Sequence, residues 1–191
     1  MPKTMMSGVG KFSRHYPANV AIVTTRTEKE QDAMAAAWHS TISFSPPLYG
    51  VSIASKRHTY DLLLEGKKFA LNFIPKEKAM ISAQTGGVSG REGDKFERFG
   101  LALEEESGLD LPILKDAYAA YECKLHSHHT FGDHEWFVGE VLFTHFDGEL
   151  FDERQMIRLE KVSPTLYLGF DHYLFPTQYE VKHLERAKPA E

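Results

Sequence analysis

The sequence contains a single cysteine, Cys123, among 191 residues, so the chain can form neither an internal disulfide nor a CxxC pair. A lone thiol suits a reducing compartment. The N-terminal residues lack the apolar stretch of a signal peptide, and no segment approaches the roughly 20 apolar residues that cross a bilayer. We therefore expect a cytoplasmic protein without a membrane partner.

Excess positive charge is also missing, because 22 basic residues face 27 acidic ones and the net charge is −5. Phosphate-rich polymers need a basic surface, so the sequence predicts no nucleic-acid partner. Two phosphate-binding motifs are absent as well, since neither GxGxxG nor GxxxxGK[ST] occurs. These absences exclude the usual dinucleotide-binding and P-loop explanations for any phosphate site.

No repeat, low-complexity tract or Pro/Gly/Ser-rich linker divides the chain, which predicts one domain over residues 1–191. Its core covers about residues 12–176, and a polar tail follows from Gln178. Hydrophobic patterning predicts a mainly β protein with short helices, and we expect a barrel rather than a βαβ sheet. The predicted strands or extended segments are 19–25, 33–43, 48–54, 69–74, 118–128, 135–146, 166–170 and 173–175, and the predicted helices are 59–65 and 77–85.

The strand-to-helix corner at 55–59 is the most informative segment, and its sequence is Ser55-Lys56-Arg57-His58-Thr59. Thr59 is placed to cap the helix that follows. Helix N-termini present unpaired N–H groups that attract anions, and two fixed cations strengthen that attraction. The corner predicts a phosphate site, although a charged turn with a helix cap would have the same sequence.

The run AMAAAWHSTIS at 33–43 consists mostly of small residues. A flat ring can lie against such a backbone, with Trp38 offering an aromatic face and Ser40 a hydroxyl. A tightly packed inner strand that lies beside bulky neighbours would show the same pattern.

A glycine-rich loop at 86–93 carries Arg91 and precedes Lys95, so it is a second candidate anion contact. Its charges balance, which also fits a solvated surface loop.

Histidines cluster in the second half of the chain, where His126, His128 and His134 lie near one predicted hairpin. Histidine and carboxylate groups could bind a metal, which keeps a metal-binding β-barrel as an alternative function. No recognised ligand spacing such as HExxH is present. His134 begins a strand beside an apolar run and could instead point into a ligand cleft.

Seven segments in order resemble the flavin reductase-like family of FMN-binding split barrels, which includes flavoredoxin-like proteins. They are PANVAIVTT, AMAAAWHSTISFSPP, LYGVSIA, SKRHTYDLL, FALNF, SGREGDKFERFGL and GDHEWFVGEV. The resemblance implies a six-stranded split barrel with short helices, which is usually a homodimer with FMN near the subunit interface.

The resemblance also implies roles for individual residues. Ala36, Ala37, Trp38 and Ser40 would line the isoalloxazine ring; Ser55, Lys56, Arg57 and Thr59 would hold the phosphate; Arg91 and Lys95 would lie close to FMN; and His134 would lie near a nicotinamide as the catalytic residue.

The implied function is an NAD(P)H:flavin reductase that supplies reduced flavin or electrons to a monooxygenase or another acceptor. FMN is the expected cofactor, FAD is possible, and NADH or NADPH is the co-substrate. The alternatives are an FMN electron carrier that a protein partner reduces, and a non-catalytic flavin-binding module.

Overall fold

The computed structural model describes residues 3–10, 16–176, 178 and 180–182. The expected beginning of the core at residue 12 and most of the polar tail lie outside these residues. The strands are β1 Ala18–Asn19, β2 Ala21–Arg26, β3 Gln31–Ala36, β4 His39–Phe44, β5 Pro47–Ala54, β6 Lys68–Phe73, β7 Ala119–Phe131, β8 His134–Phe146, β9 Leu166–Gly169 and β10 His172–Leu174. The helices are α1 His58–Gly66, α2 Met80–Gly87 and α3 Lys95–Phe99, with 3-10 turns at Lys76–Lys78, Gly90–Glu92 and Gly148–Leu150.

Two antiparallel sheets contain all ten of these strands. The larger has the order β3-β2-β6-β7-β8-β5-β4, and the smaller has the order β1-β9-β10. The mainly β class with short helices is confirmed. The strand count differs from the six-stranded barrel that the resemblance implies, because the large sheet alone has seven strands.

The large sheet must curl back on itself, because only Ala37 and Trp38 connect its two edge strands, β3 and β4. Seven flat strands would separate the edges by about 29 Å, at about 4.8 Å per strand. Two connecting residues span only about 10 Å. The backbone N–H of Ser52 on β5 donates to the Trp38 carbonyl at 2.9 Å and ties this link to the sheet.

The expected continuous segment at 33–43 is therefore two strands rather than one. β3 pairs with β2, and β4 pairs with β5. Small residues favour an extended chain along the whole run, but the sequence cannot show where the chain leaves one strand partner for another. Ala37 and Trp38 therefore belong to neither strand.

Both faces of β2 are buried, which explains its unbroken apolar sequence. Val23 packs into the barrel interior with Val51, Leu71 and Phe137, and Ile22 packs on the outside in a second apolar cluster. Ile81 of α2 and Phe96 of α3 belong to that outer cluster. Burial of each such side chain stabilises the fold by about 1.5–3 kcal/mol. The outer cluster holds α2 and α3 against β2 and β3.

Thr59 does not cap α1, contrary to the prediction. The helix begins at His58 with Arg57 in the N-cap position, and no side chain accepts a hydrogen bond there. The Thr59 hydroxyl donates to Asp32 instead. Asp94 does cap α3, because its carboxylate accepts from the backbone N–H groups of Phe96 and Glu97.

None of the helices in the described part of the chain could cross a bilayer, since even α1 has only nine residues.

Candidate functional site

A cavity of about 610 Å³ lies where the β3–β4 link, the corner after β5 and the outer helix α2 meet. Its volume falls within the roughly 300–1,000 Å³ of small-molecule and cofactor pockets. The lining residues are Val20, Met34, Ala35, Ala36, Ala37, Trp38, Ser52, Ala54, Ser55, Lys56, Arg57, Ser82, Ala83, Gly86, Gly87, Asp133, His134, Tyr167, Asp171 and Tyr173.

One wall of this cavity is formed by part of the small-residue run, residues 34–38. Ala36 and Ala37 lead into Trp38, whose ring centroid lies 4.9 Å from that of His134. Small side chains let a flat ligand approach the backbone, and the rings of Trp38 and His134 border one edge of the space that it would occupy. The wall can therefore hold a planar aromatic group.

Two residues that were predicted to bind phosphate form the charged end of the cavity. Lys56 and Arg57 are exposed, and within the described residues neither side chain has a hydrogen bond or an ion-pair partner. They also line a smaller adjoining cavity of about 170 Å³ at the N-terminus of α1. The first N–H groups of a nine-residue helix without a side-chain cap add partial positive charge. This end can hold a phosphate group, and Ser55 lines the cavity beside it.

Thr59 and Lys95 belong to a buried network around Asp32. The Thr59 hydroxyl donates to Asp32 Oδ2 at 2.6 Å, and Lys95 Nζ lies 3.0 Å from Asp32 Oδ1. Lys95 also donates to the carbonyl oxygens of Ala33 and Thr85, at 2.6 and 3.3 Å. Asp32, Thr59 and Lys95 are each at most 2% exposed.

This network changes the roles expected for Thr59 and Lys95. Both residues line the smaller cavity, yet their polar atoms already have protein partners. Their contacts join β3 to α1, α2 and α3. The geometry makes them residues that hold the corner together, and it gives Asp32, which the sequence did not single out, the central position.

Arg91 and Ser40 lie outside the cavity lining. The Arg91 guanidinium donates to Asp61 Oδ2 at 2.6 Å and to the Lys56 carbonyl at 3.0 Å. Arg91 therefore stabilises the corner at residues 55–59 from outside the cavity. Ser40 lies on edge strand β4, is exposed, and donates to the Thr41 carbonyl. The structure brings neither residue to the ligand wall.

His134 lines the cavity at the beginning of β8, where it pairs with Ala54 of β5. Its Nδ1 lies 2.7 Å from the Asp133 carboxylate, and this hydrogen bond, together with the imidazole charge, lowers the pKa of Asp133. The carboxylate therefore stays ionised and fixes the orientation of the imidazole next to Trp38.

The remaining histidines of the hairpin do not form a metal site with other described residues. Within the described residues, no group of three or more His, Cys, Asp or Glu side chains is placed to hold a metal ion. His128 bonds to Glu135, and His126 lies at the irregularity between Leu125 and Ser127 in the β7–β8 pairing. The metal-binding alternative gains no support from this geometry.

Several lining residues had no signal in the sequence. Ser82 and Ala83 lie on a helix that propensity alone predicts, while Tyr167, Asp171 and Tyr173 come from the late β9–β10 hairpin. Nothing local shows that this helix and this hairpin meet the wall formed by residues 34–38. The backbone bond from Val20 N–H to the Thr165 carbonyl, at 3.1 Å, brings the small sheet to the site.

Comparison with known proteins agrees with this architecture. Residues 13–173 match the family model for the flavin reductase-like domain. The chain belongs to the flavin reductase-like family. The FMN-binding protein of Thermus thermophilus has the same fold, with 34% identity, a TM-score of 0.82, and coverage of 96% of this chain and all of the other. Its solved structures include complexes with cyclohex-2-enone and p-hydroxybenzaldehyde.

Two enzyme relatives share less of the sequence. The FMN reductase (NADH) SmoA of Agrobacterium fabrum is 27% identical over 148 residues, which are 77% of this chain and 79% of the relative. An NADH-dependent FAD reductase of Streptomyces globisporus is 29% identical over 128 residues, covering 66% of this chain and 69% of the relative. Membership of the family confirms the split-barrel fold that the resemblance implied.

Proposed function

We propose that this protein binds FMN in the 610 Å³ cavity and acts as an NAD(P)H:flavin reductase. One observation carries the proposal. Small residues line one wall of the cavity, and the side chains of Lys56 and Arg57, at an uncapped helix N-terminus, have no hydrogen-bond or ion-pair partner among the described residues. A flat ring with a phosphate tail matches both features, and FAD would present the same ring and first phosphate.

The residues present fit this cofactor. Lys56 and Arg57 would hold the phosphate with the first N–H groups of α1, while Ala36 and Ala37 would face the ring. The side chain of Ser82, which also lines the cavity, has a buried hydroxyl without a hydrogen-bond partner in the described structure. When bound, FMN supplies the hydride-accepting and electron-transfer chemistry.

The protein itself would orient the reactants and exclude water. Trp38 and His134 stand at the edge of the wall, and Asp133 fixes the imidazole. Hydride transfer between stacked rings needs alignment rather than a strong acid or base. We infer that His134 contacts the nicotinamide of NADH or NADPH and aligns it with the flavin.

Anaerobic mixing of the FMN-loaded protein with NADH or NADPH tests the reaction. Bleaching of the flavin absorbance by either donor supports the reductase, and the faster donor identifies the co-substrate. Tight FMN binding without bleaching would refute the reductase and favour either the electron carrier or the non-catalytic module. A purified protein that takes up no flavin would refute the whole proposal. The homodimer and the monooxygenase partner stay predictions.

A small cyclic or aromatic carbonyl compound is a second candidate acceptor. A separate cavity of about 450 Å³ shares Ala37, Trp38 and Ser52 with the main cavity and adds Tyr16 and Trp136. Aromatic walls suit a flat apolar ligand, and the Thermus neighbour has been solved with two such compounds. Addition of cyclohex-2-enone to the anaerobically reduced, FMN-loaded protein should restore the oxidised flavin spectrum. An unchanged spectrum would remove this candidate.

A further inference from the structure

Ser82 has a hydroxyl that the protein leaves unpaired. The residue lies in α2 and is 1% exposed, and within the described chain its Oγ has no hydrogen-bond partner. Thr85, on the same helix, donates to the carbonyl oxygen of Ile81 at 2.8 Å. A buried hydroxyl without a partner is costly, and most find one in the protein or in water. The contrast between these two hydroxyls on one helix requires an explanation.

The position of Ser82 along the cavity supplies one. Ser82 and Gly86 are four residues apart, so they lie on the same face of α2, and both line the main cavity. Gly86 also lines the smaller cavity beside Lys56 and Arg57. One helical turn rises about 5.4 Å. Ser82 therefore borders the ligand space about one turn beyond the phosphate end.

We propose that the Ser82 hydroxyl is a binding residue for the ribityl chain of the flavin. This inference rests on the proposed function, because it assumes that the phosphate binds at Lys56 and Arg57 and that the ring lies against Ala36 and Ala37. The ribityl chain joins those two parts, which places it one helical turn from the phosphate. Its hydroxyls both donate and accept, as serine does.

The side chain reaches its partner by rotation. Serine has three staggered χ1 positions about 120° apart. In the described conformation Oγ is screened from solvent, although the residue borders the cavity. A hydrogen bond to the ligand would give Ser82 Oγ the partner that it lacks in the described protein. This bond therefore stabilises only the ligand-bound state.

Titration of flavin fluorescence with the apoprotein tests the proposal. The variant Ser82→Ala should bind both FMN and riboflavin about fivefold more weakly than the wild type, which corresponds to one lost neutral hydrogen bond. Binding of lumiflavin, which has the ring without the ribityl chain, should not change. The apoprotein melting temperature should stay equal or rise, because an unpaired buried hydroxyl has been removed.

Thr165→Val is the matched control. Thr165 is also fully buried with an unpaired hydroxyl in the described structure, but it does not line the cavity. FMN affinity in Ser82→Ala within twofold of the wild type, or an equal loss in Thr165→Val, would overturn the proposal. An equal loss for lumiflavin would also overturn the ribityl assignment. If lumiflavin binds neither protein, FMN and riboflavin decide the question. A wild type that binds no flavin would refute the proposed function itself.

Discussion

Replacement of Lys95 by methionine distinguishes a structural lysine from a cofactor ligand. The Lys95 side chain is 2% exposed, and its ammonium group lies 3.0 Å from Asp32 Oδ1 and donates to two backbone carbonyls. Lys95→Met keeps most of the side-chain volume but leaves the Asp32 carboxylate buried without its cation. Removing one partner of a buried ion pair costs about 3–5 kcal/mol. For a chain of this size, that corresponds to a fall of roughly 10 °C in melting temperature.

Urea unfolding of the apoprotein measures this change without any cofactor. Lys76→Met is the control, because Lys76 is exposed and its nitrogen lies 3.7 Å from Glu77 Oε1. Exposed pairs of this kind contribute at most about 1 kcal/mol. A native-like unfolding curve for Lys95→Met, together with loss of FMN binding, would refute the structural role. Lys95 would then be the cofactor ligand that the sequence predicted.

Three further predictions concern charged and reactive groups. The double variant Lys56→Ala/Arg57→Ala should weaken FMN binding about 100-fold, because two charge-assisted contacts are lost. Riboflavin, which lacks the phosphate, should bind with little change. An equal loss of affinity for both ligands would contradict the phosphate role. Burial raises the pKa of Glu122, but hydrogen bonds from His145 and residues 107–109 outweigh it and leave the pKa lowered. The melting temperature of Glu122→Gln should therefore lie furthest below the wild type above pH 4.5 and converge on it as the pH falls through the lowered pKa; a constant gap would count against this. Burial, and then the charge of Glu122, raise the pKa of Cys123 to about 12, so this thiol should react with Ellman's reagent only after denaturation.

The strands of the barrel could largely be predicted from the sequence, because their signals are local. Runs such as those in β2, β5 and β6 are rich in β-branched and aromatic residues. The break between β3 and β4 could not be predicted, since it depends on which strand each half pairs with. The same limit applies to Tyr167 and Tyr173, which reach the cavity only through the small sheet.

At the candidate site, the local sequence does not distinguish the roles of the basic residues. Lys56, Arg57, Arg91 and Lys95 have the same charge beside the same kind of turn, yet the structure gives them three different uses. Lys56 and Arg57 line the cavity, Arg91 pairs with Asp61 outside it, and Lys95 is buried.

Burial and pairing with a carboxylate decide among these uses, and both depend on distant parts of the chain. Lys95 meets the carbonyl of Ala33 across 62 positions, and Thr59 meets Asp32 across 27. A cation enclosed in this way is already neutralised by its carboxylate and cannot serve a phosphate without breaking that pair. An exposed cation without a carboxylate partner keeps its charge available to a ligand, whereas the charge of Arg91 is paired with Asp61. The proposed anion site therefore contains fewer residues than the basic sequence around it: the side chains of Lys56 and Arg57 and the N-terminus of α1, next to the buried Asp32 network.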